Sequence, residues 1–391
     1  MSASSQSYSP ALPEHAATDR PIAWWLAGVA VMVFLMIVIG GITRLTESGL
    51  SMVEWRPLIG WLPPLSEPEW YRVFSLYQDS PEFQKVNSWM TIEDFKHIFF
   101  WEYLHRVWGR LIGIAFAVPF LVLALSGRIR RALYPRLGFL FLLGALQGGI
   151  GWWMVKSGLV DNPAVSQYRL ALHLSVALLI LATLIWTALG LVRRPDGDDR
   201  QFRRHAVAVL HLVAITTAAG AFVAGLDAGL IYNTFPLMNG HVVPPDYAFA
   251  EPFWVNLFEN PAAVQFNHRV IAIVTFASIV WLLVRAMRAT EIAPRTHLAV
   301  HSLAGMTAVQ IALGISTLLS QVPVSLGAAH QGGAALTVAA AVWVLFETCQ
   351  NNQLPPQSCG PSMTGLTHSF SSARSWCVAP RRGDGKPRHR T

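Results

Sequence analysis

The sequence is poor in charge and in cysteine. Charged residues make up 13% of 391 positions and hydrophobic residues 53%, so a soluble domain of this length would lack the polar surface it needs. A soluble globular enzyme is excluded, and an all-α integral membrane protein is expected. There are 3 cysteines, and Cys349, Cys359 and Cys377 all fall at or beyond the last apolar stretch, so no disulfide braces an outer loop. The first twenty residues lack a cleavable signal pattern, and Glu14 and Asp19 speak against a mitochondrial transit peptide. A bacterial plasma (inner) membrane is the expected location.

Long charge-free runs are abundant. Residues 21–43, 137–155, 170–192 and 205–226 each approach or exceed the roughly 20 apolar residues that cross a bilayer. The charge-free interval 296–346 is too long for one span, and Gln321, Pro323 and Ser325 divide it with turn chemistry. Two shorter runs, 111–127 and 270–284, reach spanning length if each helix starts early enough to include His105-Arg106 or His268-Arg269. The total is eight transmembrane helices.

Arginines alternate between the connections. Arg128, Arg130, Arg131 and Arg136 crowd the second; Arg193, Arg194, Arg200, Arg203 and Arg204 the fourth; Arg285, Arg288 and Arg295 the sixth. The first (about 44–97) is acid-rich, and the fifth (227–263) has no lysine or arginine. The even connections and both termini are therefore expected on the cytoplasmic side. The tail bases Arg381, Arg382, Lys386, Arg388 and Arg390 agree. The net charge of +7 is thus largely a topology signal and no argument for nucleic acid.

The chain also repeats itself. A shift of 163 residues lays Glu102-Tyr-Leu-His105-Arg106 on Gln265-Phe-Asn-His268-Arg269, and Gln147-Gly-Gly-Ile-Gly151 on Gln310-Ile-Ala-Leu-Gly314. Related shifts match Glu47-Ser-Gly-Leu50 with Asp227-Ala-Gly-Leu230, and Leu172-His173 with Ala329-His330. Each unit has an even number of spans, so the repeat is parallel and two pseudosymmetric four-helix bundles are expected. The boundaries read as a tail 1–20, a first bundle 21–192, a linker 193–204, a second bundle 205–346 and a disordered tail 347–391.

Spans two, four, six and eight run from outside to inside, each with its histidine in its first turns. Within a half, two parallel helices then present imidazoles at similar depth, an arrangement that can clamp a heme iron axially. Interhelical hydrogen bonding, another metal, or proton relay are the competing readings. Arg106 and Arg269 stand beside histidines where a guanidinium can pair with heme propionates, and Arg169 is a weaker candidate; plain snorkelling is their bland alternative. The halves differ at Glu102 against Gln265, each three residues before its histidine and on the same helical face. A carboxyl there can act as general base where an amide cannot; its bland alternative is an interfacial glutamate facing water. Chemistry is expected in the first half, and electron storage or transfer in the second.

Other features carry less. His97 and His241 read as solvated or locally bonded, and His15, His368 and His389 as tail residues. His205, His211, His297 and His301 fall near inner span ends. Trp24-Trp25, Trp101 with Trp108, and Trp152-Trp153 read mostly as an aromatic belt. Gly40-Gly41 and Gly148-Gly149 read as places of close helix approach.

Three segments together carry a resemblance: Gly40-Gly-Ile-Thr-Arg-Leu-Thr-Glu-Ser-Gly-Leu-Ser51, Glu102-x-x-His105-Arg106, and Asn233-Thr-Phe-Pro-Leu-Met-Asn239. From about Trp24 to Phe346 the chain resembles the heme A synthase family of the alphaproteobacterial and mitochondrial type. The resemblance implies a substrate heme o in the first bundle and a heme b cofactor in the second. It also implies oxidation of the position-8 methyl group to a formyl group, with water as the oxygen source, in support of terminal oxidase assembly. By motif match His105 and His173 would flank the substrate iron, His268 and His330 would ligate heme b, and Glu102 would be the catalytic carboxylate. A heme o synthase as supplier and an electron acceptor follow as partners, and a homo-oligomer is compatible with this reading. Paired outer-loop cysteines found in some branches of the family are absent here. The alternative is a bis-histidine cytochrome b passing electrons from quinol; a transporter of inverted repeats is disfavoured by the parallel repeat.

Overall fold

A computed structural model describes residues 16–54, 60–159, 163–195, 200–289 and 292–349. The expectations for the first fifteen residues and for the tail from residue 350, including His15, His368, His389, Cys359 and Cys377, lie outside the described residues.

Eleven α-helices follow one another among the described residues: α1 (Ala16–Leu45), α2 (Glu67–Gln78), α3 (Pro81–Lys85), α4 (Ile92–Leu125), α5 (Tyr134–Gly158), α6 (Gln167–Val192), α7 (Arg200–Gly225), α8 (Asn256–Glu259), α9 (Pro261–Arg288), α10 (Pro294–Leu319) and α11 (Val324–Glu347). Eight are long and apolar enough to span a bilayer, namely α1, α4, α5, α6, α7, α9, α10 and α11. There is no β-sheet among the described residues; a lone bridge joins Met238 to His241.

Local chemistry sets the helix ends. Thr91 and Asp94 form a reciprocal capping box that starts α4. Asn260 caps α9, its side-chain oxygen accepting from the Ala262 and Ala263 amides, with Pro261 at the first helical position. The expected break between the last two spans is a turn in which Gln321 and Val322 adopt positive φ and the Val322 amide bonds back to Thr317 O at 2.8 Å. Glu47 and Asp227, matched by the repeat, follow α1 and α7 with the same φ of 51°. The left-handed residue that ends a span is thus placed alike in both halves.

The neighbour relations recur too. In the first half α1 packs on α4 and α6, and α5 on α4 and α6; in the second, α7 packs on α9 and α11, and α10 on α9 and α11. The halves meet where α1 faces α11, α6 faces α7 and α6 faces α11. Leu26, Leu137, Leu184, Leu282 and Leu303 belong to the main core, while Val118, Leu121 and Val122 of α4 are exposed, as lipid contact requires. A separate cluster of Phe74, Tyr77, Phe95, Ile98 and Phe99 packs α2 on the first turns of α4. This end of the molecule carries the acid-rich connections and is termed the outer end.

The structure sharpens one sequence expectation and corrects another. Trp25 and Trp108, expected in an aromatic belt, donate their indole N–H groups to Ala115 O at 2.7 Å and Met32 O at 2.9 Å, tying α1 to α4. A half-buried indole needs such an acceptor. His105 is not in the first turns of its helix, because α4 begins at Ile92 and its first turns pack against α2. Measured from the inner ends, however, the four histidines agree. They stand 20 residues before Leu125, 19 before Val192, 20 before Arg288 and 17 before Glu347, or about 26–30 Å at the helical rise.

Candidate functional site

Each of the four histidines rests on a glycine of a neighbouring helix. A Cβ added at Gly40 would stand 3.1 Å from Cε1 of His105, at Gly151 3.0 Å from that of His173, at Gly220 3.1 Å from that of His268, and at Gly314 2.8 Å from that of His330. Any side chain there would drive the ring off its place. By contrast, Gly148 and Gly149 have nothing within 4 Å of an added Cβ. The close-approach expectation therefore holds for Gly40 and Gly41 and not for the Gly148-Gly149 pair. Gly151, Gly220 and Gly314 carry the role that sequence reasoning left unassigned, although the first and last had already been aligned by the repeat. The missed signal was that each half offers one glycine per histidine.

A glycine also uncovers backbone. Thr216 O, one turn before Gly220, receives Nδ1 of His268 at 3.1 Å. With a proton on Nδ1 the lone pair sits on Nε2, the form in which imidazole binds a metal. Nδ1 of His105, His173 and His330 is buried with no hydrogen-bond partner. The amides of Gln147 and Gln310, matched by the repeat, donate to the backbone carbonyls of His173 at 3.0 Å and His330 at 2.9 Å. His105 and His173 lie within electrostatic range of each other, as do His268 and His330, so the pairs form within halves.

Two imidazoles do not close a metal's coordination sphere, and no group of three or more histidine, cysteine or carboxylate side chains gathers among the described residues. Such a donor set would suit a metal that arrives with most of its ligands already in place, as the iron of a porphyrin does.

Beside each pair the polar residue before the histidine ties down an outer connection, with opposite polarity in the two halves. Glu102 is 3% exposed, which rules out a glutamate facing water. Its carboxylate accepts from Ser51 Oγ at 2.7 Å, the Met52 amide at 2.6 Å and Arg106 Nη2 at 2.5 Å. Gln265, also 3% exposed, instead donates through Nε2 to Ala228 O and Ile231 O, each at 2.7 Å, and accepts from Arg269 Nη2 at 3.0 Å. The arginines complete the pattern: Arg106 donates to Met52 O and Glu54 O, and Arg269 to Tyr232 O and Thr234 O. Their guanidiniums clamp backbone before they meet any ligand. The Nε of Arg269 is buried without a partner. Arg169 donates to Trp153 O at 2.7 Å and lies 4.2 Å over the Trp153 ring.

Most of the other described histidines are locally bonded or exposed, and the His297 ring lies against that of His301. His205 pairs with Ser278 Oγ, His211 with Val207 O and His301 with His297 O; His97 and His241 are exposed. Under the outer connection, Glu82 is buried beside Tyr77, and burial, with the charges of Glu102 and Glu47 added, pushes its carboxyl up to about 7.

Fold and site thus define a multi-pass helical membrane protein with two matched pairs of glycine-seated histidines and an acid beside one pair only. Residues 23–342 match the family model described as cytochrome oxidase assembly protein, and the chain belongs to that family. It is 49% identical over 338 residues to a protein named heme A synthase from Nitrosospira multiformis, covering 85% of this chain and 94% of that one. Relatives of the same name from Parvibaculum lavamentivorans (49% identity, 84% and 94% covered) and Rhodospirillum centenum (50%, 84% and 89%) are similar over the same extent.

Proposed function

We propose that the chain is a heme A synthase: it oxidises the position-8 methyl group of heme o to the formyl group of heme A for terminal oxidase assembly. The observation that carries this reading is the asymmetry of two otherwise matched sites, a buried carboxylate beside His105 and a buried amide beside His268. With water as oxygen source, methyl and water yield formyl, four protons and four electrons. A site for that chemistry needs a group that accepts protons, and at the matched positions beside the histidines only Glu102 is a carboxylate.

In this reading His105 and His173 of the bundle 21–192 would bind substrate heme o, and His268 and His330 of the bundle 205–346 would hold heme b. Heme b, when bound, supplies a reversible one-electron store. Glu102 is the catalytic carboxylate. A carboxylate offers about four acceptor sites, and three donors occupy it here, so one lone pair remains to orient or deprotonate a water. Ser51, the Met52 amide and Arg106 hold that carboxylate in place. For a propionate, Arg269 offers its unpartnered Nε; Arg106 and Arg169 would share donors now given to backbone carbonyls. The protein sits in the bacterial plasma membrane with both termini cytoplasmic and both sites near the outer face. Heme o comes from a heme o synthase, and an electron acceptor removes the reducing equivalents.

The test is pigment extraction from purified wild type, Glu102→Gln and His268→Ala. Heme b together with heme o, hydroxylated intermediates or heme A is expected in wild type. Glu102→Gln should retain both pigments and form heme A at least about 100-fold more slowly, the lower range for loss of a general base. Normal conversion by Glu102→Gln would sink the catalytic assignment, and heme b alone in wild type would favour a bis-histidine cytochrome b.

A further inference from the structure

A polar contact joins the two histidine pairs across the interface between the halves. Gln331 follows His330 directly in α11. Its Nε2 donates to Ile37 O of α1 at 2.7 Å, and a Cβ added at Gly41 would stand 2.9 Å from its Oε1 and 3.2 Å from its Nε2. Within a helix Ile37 O accepts the amide of residue 41; the missing side chain at Gly41 opens that carbonyl to a second donor. Gly40, the next residue back, is the seat of His105. One turn of α1 therefore bears on a histidine of the first half and on the neighbour of a histidine of the second.

The matching interface has no such contact. The 180-residue shift that carries Gly40 to Gly220 carries Gly41 to Ala221, and the 157-residue shift that carries His173 to His330 carries Leu174 to Gln331. Where α6 meets α7, leucine and alanine stand in place of glutamine and glycine. An apolar pair thus suffices for packing at this kind of contact, and an amide among apolar helices is tolerated only when bonded. Like Glu102 against Gln265, the polar group occurs at one of two repeat-matched places.

We propose that Gln331 is a positioning residue that couples the two histidine sites, so that loading the first-half pair changes the redox behaviour of the heme held by the second-half pair. The proposal rests on the reading that both pairs hold hemes. A shift of the His105 ring bears on Gly40, moves the Gly41–Ile37 segment against Gln331, and is felt at His330 through the adjoining backbone. By linkage the effect is reciprocal.

The experiment uses the full-length protein with heme b in place. The midpoint potential of the second-half heme is measured with the first site empty and loaded with heme o. Wild type is compared with Gln331→Leu and with the double variant Gln331→Leu/Gly41→Ala, which places at the two positions the residues found at their repeat matches, Leu174 and Ala221, and so offers an apolar pair if the single variant does not fold. In wild type, loading should change the reduced-to-oxidised ratio at fixed potential by about fivefold or more, the low end of coupling between sites. In both variants that shift should be lost while the six-coordinate spectrum of the second-half heme stays unchanged. An equal shift in the double variant, or none in wild type, overturns the proposal. A wild type that shows the shift but never forms heme A removes the synthase reading and leaves the coupling standing; a first half that takes up no heme o removes both.

Discussion

Replacing the glycine seats by alanine separates a histidine held by its neighbour helix from one merely close to it. At Gly314 the added Cβ would stand 2.8 Å from His330 Cε1, and at Gly151 3.0 Å from His173 Cε1. Carbon atoms in contact prefer about 3.5–4.0 Å, so each ring must move by roughly half an ångström or more, or the helices must part. Such overpacking costs about 1–3 kcal/mol, against which alanine returns up to about 1 kcal/mol of helix propensity. Gly148→Ala and Gly149→Ala gain the same propensity and meet nothing within 4 Å, so they are matched controls on the same helix as Gly151. The assay is heme content and absorption spectrum of the purified variants, with thermal unfolding followed in detergent. Gly314→Ala and Gly151→Ala should each lose pigment or show an altered ligand-field spectrum, with Gly314→Ala acting on the b-type component; the controls should match or exceed wild-type stability. If Gly151→Ala and Gly148→Ala behave alike, the seating argument is wrong.

Three other outcomes are expected. Glu82 has a folded-state pKa raised to about 7 by burial, so the folded chain keeps a proton that the unfolded chain releases above the ordinary carboxylate range. The stability of the α2–α3 segment should therefore fall as pH rises from about 4.5 to 7 and level off above, by up to roughly 3 kcal/mol. Hydrogen exchange across residues 66–90 should show this, and Glu82→Gln should flatten it; a pH-independent wild type would count against it. Asn260→Ala removes the cap of α9 and the donors to Asp246 O and Tyr247 O, which should destabilise by about 2 kcal/mol or more in thermal unfolding. Asp227→Asn weakens an ion pair with Arg44 in which the Asp227 side chain is 57% exposed, and should change stability by less than about 1 kcal/mol; a larger loss would mean that this pair holds the halves together.

Much of the architecture was legible before any coordinates. Span number follows from apolar run length, and the turn between the last two spans from Gln321, Pro323 and Ser325, because a bilayer imposes a length and a turn imposes a chemistry. The register of the repeat matched Glu47 with Asp227, and both residues adopt the same left-handed φ. What composition could not say was where a helix stops obeying the membrane. His105 lies deeper in its helix than its sequence neighbours suggest because the first turns of α4 pack on α2, and the acceptors of Trp25 and Trp108 are not legible in the chain because an indole looks the same whether it faces headgroups or a carbonyl of the next helix.

Apolar run length and residue spacing already mark the chain as helical and membrane-spanning and put its four histidines and the Glu102–Gln265 difference at repeat-matched positions. These are properties of one strand of chain, set by run length, the helical rise and the spacing of residues along it. Packing between helices is what seats each histidine on a glycine, buries Glu102 under three donors, makes Arg106 and Arg269 clamp backbone, and lets Gln331 reach across to α1. Each of those depends on which backbone a side chain meets when two helices pack. No spacing within either helix encodes that meeting.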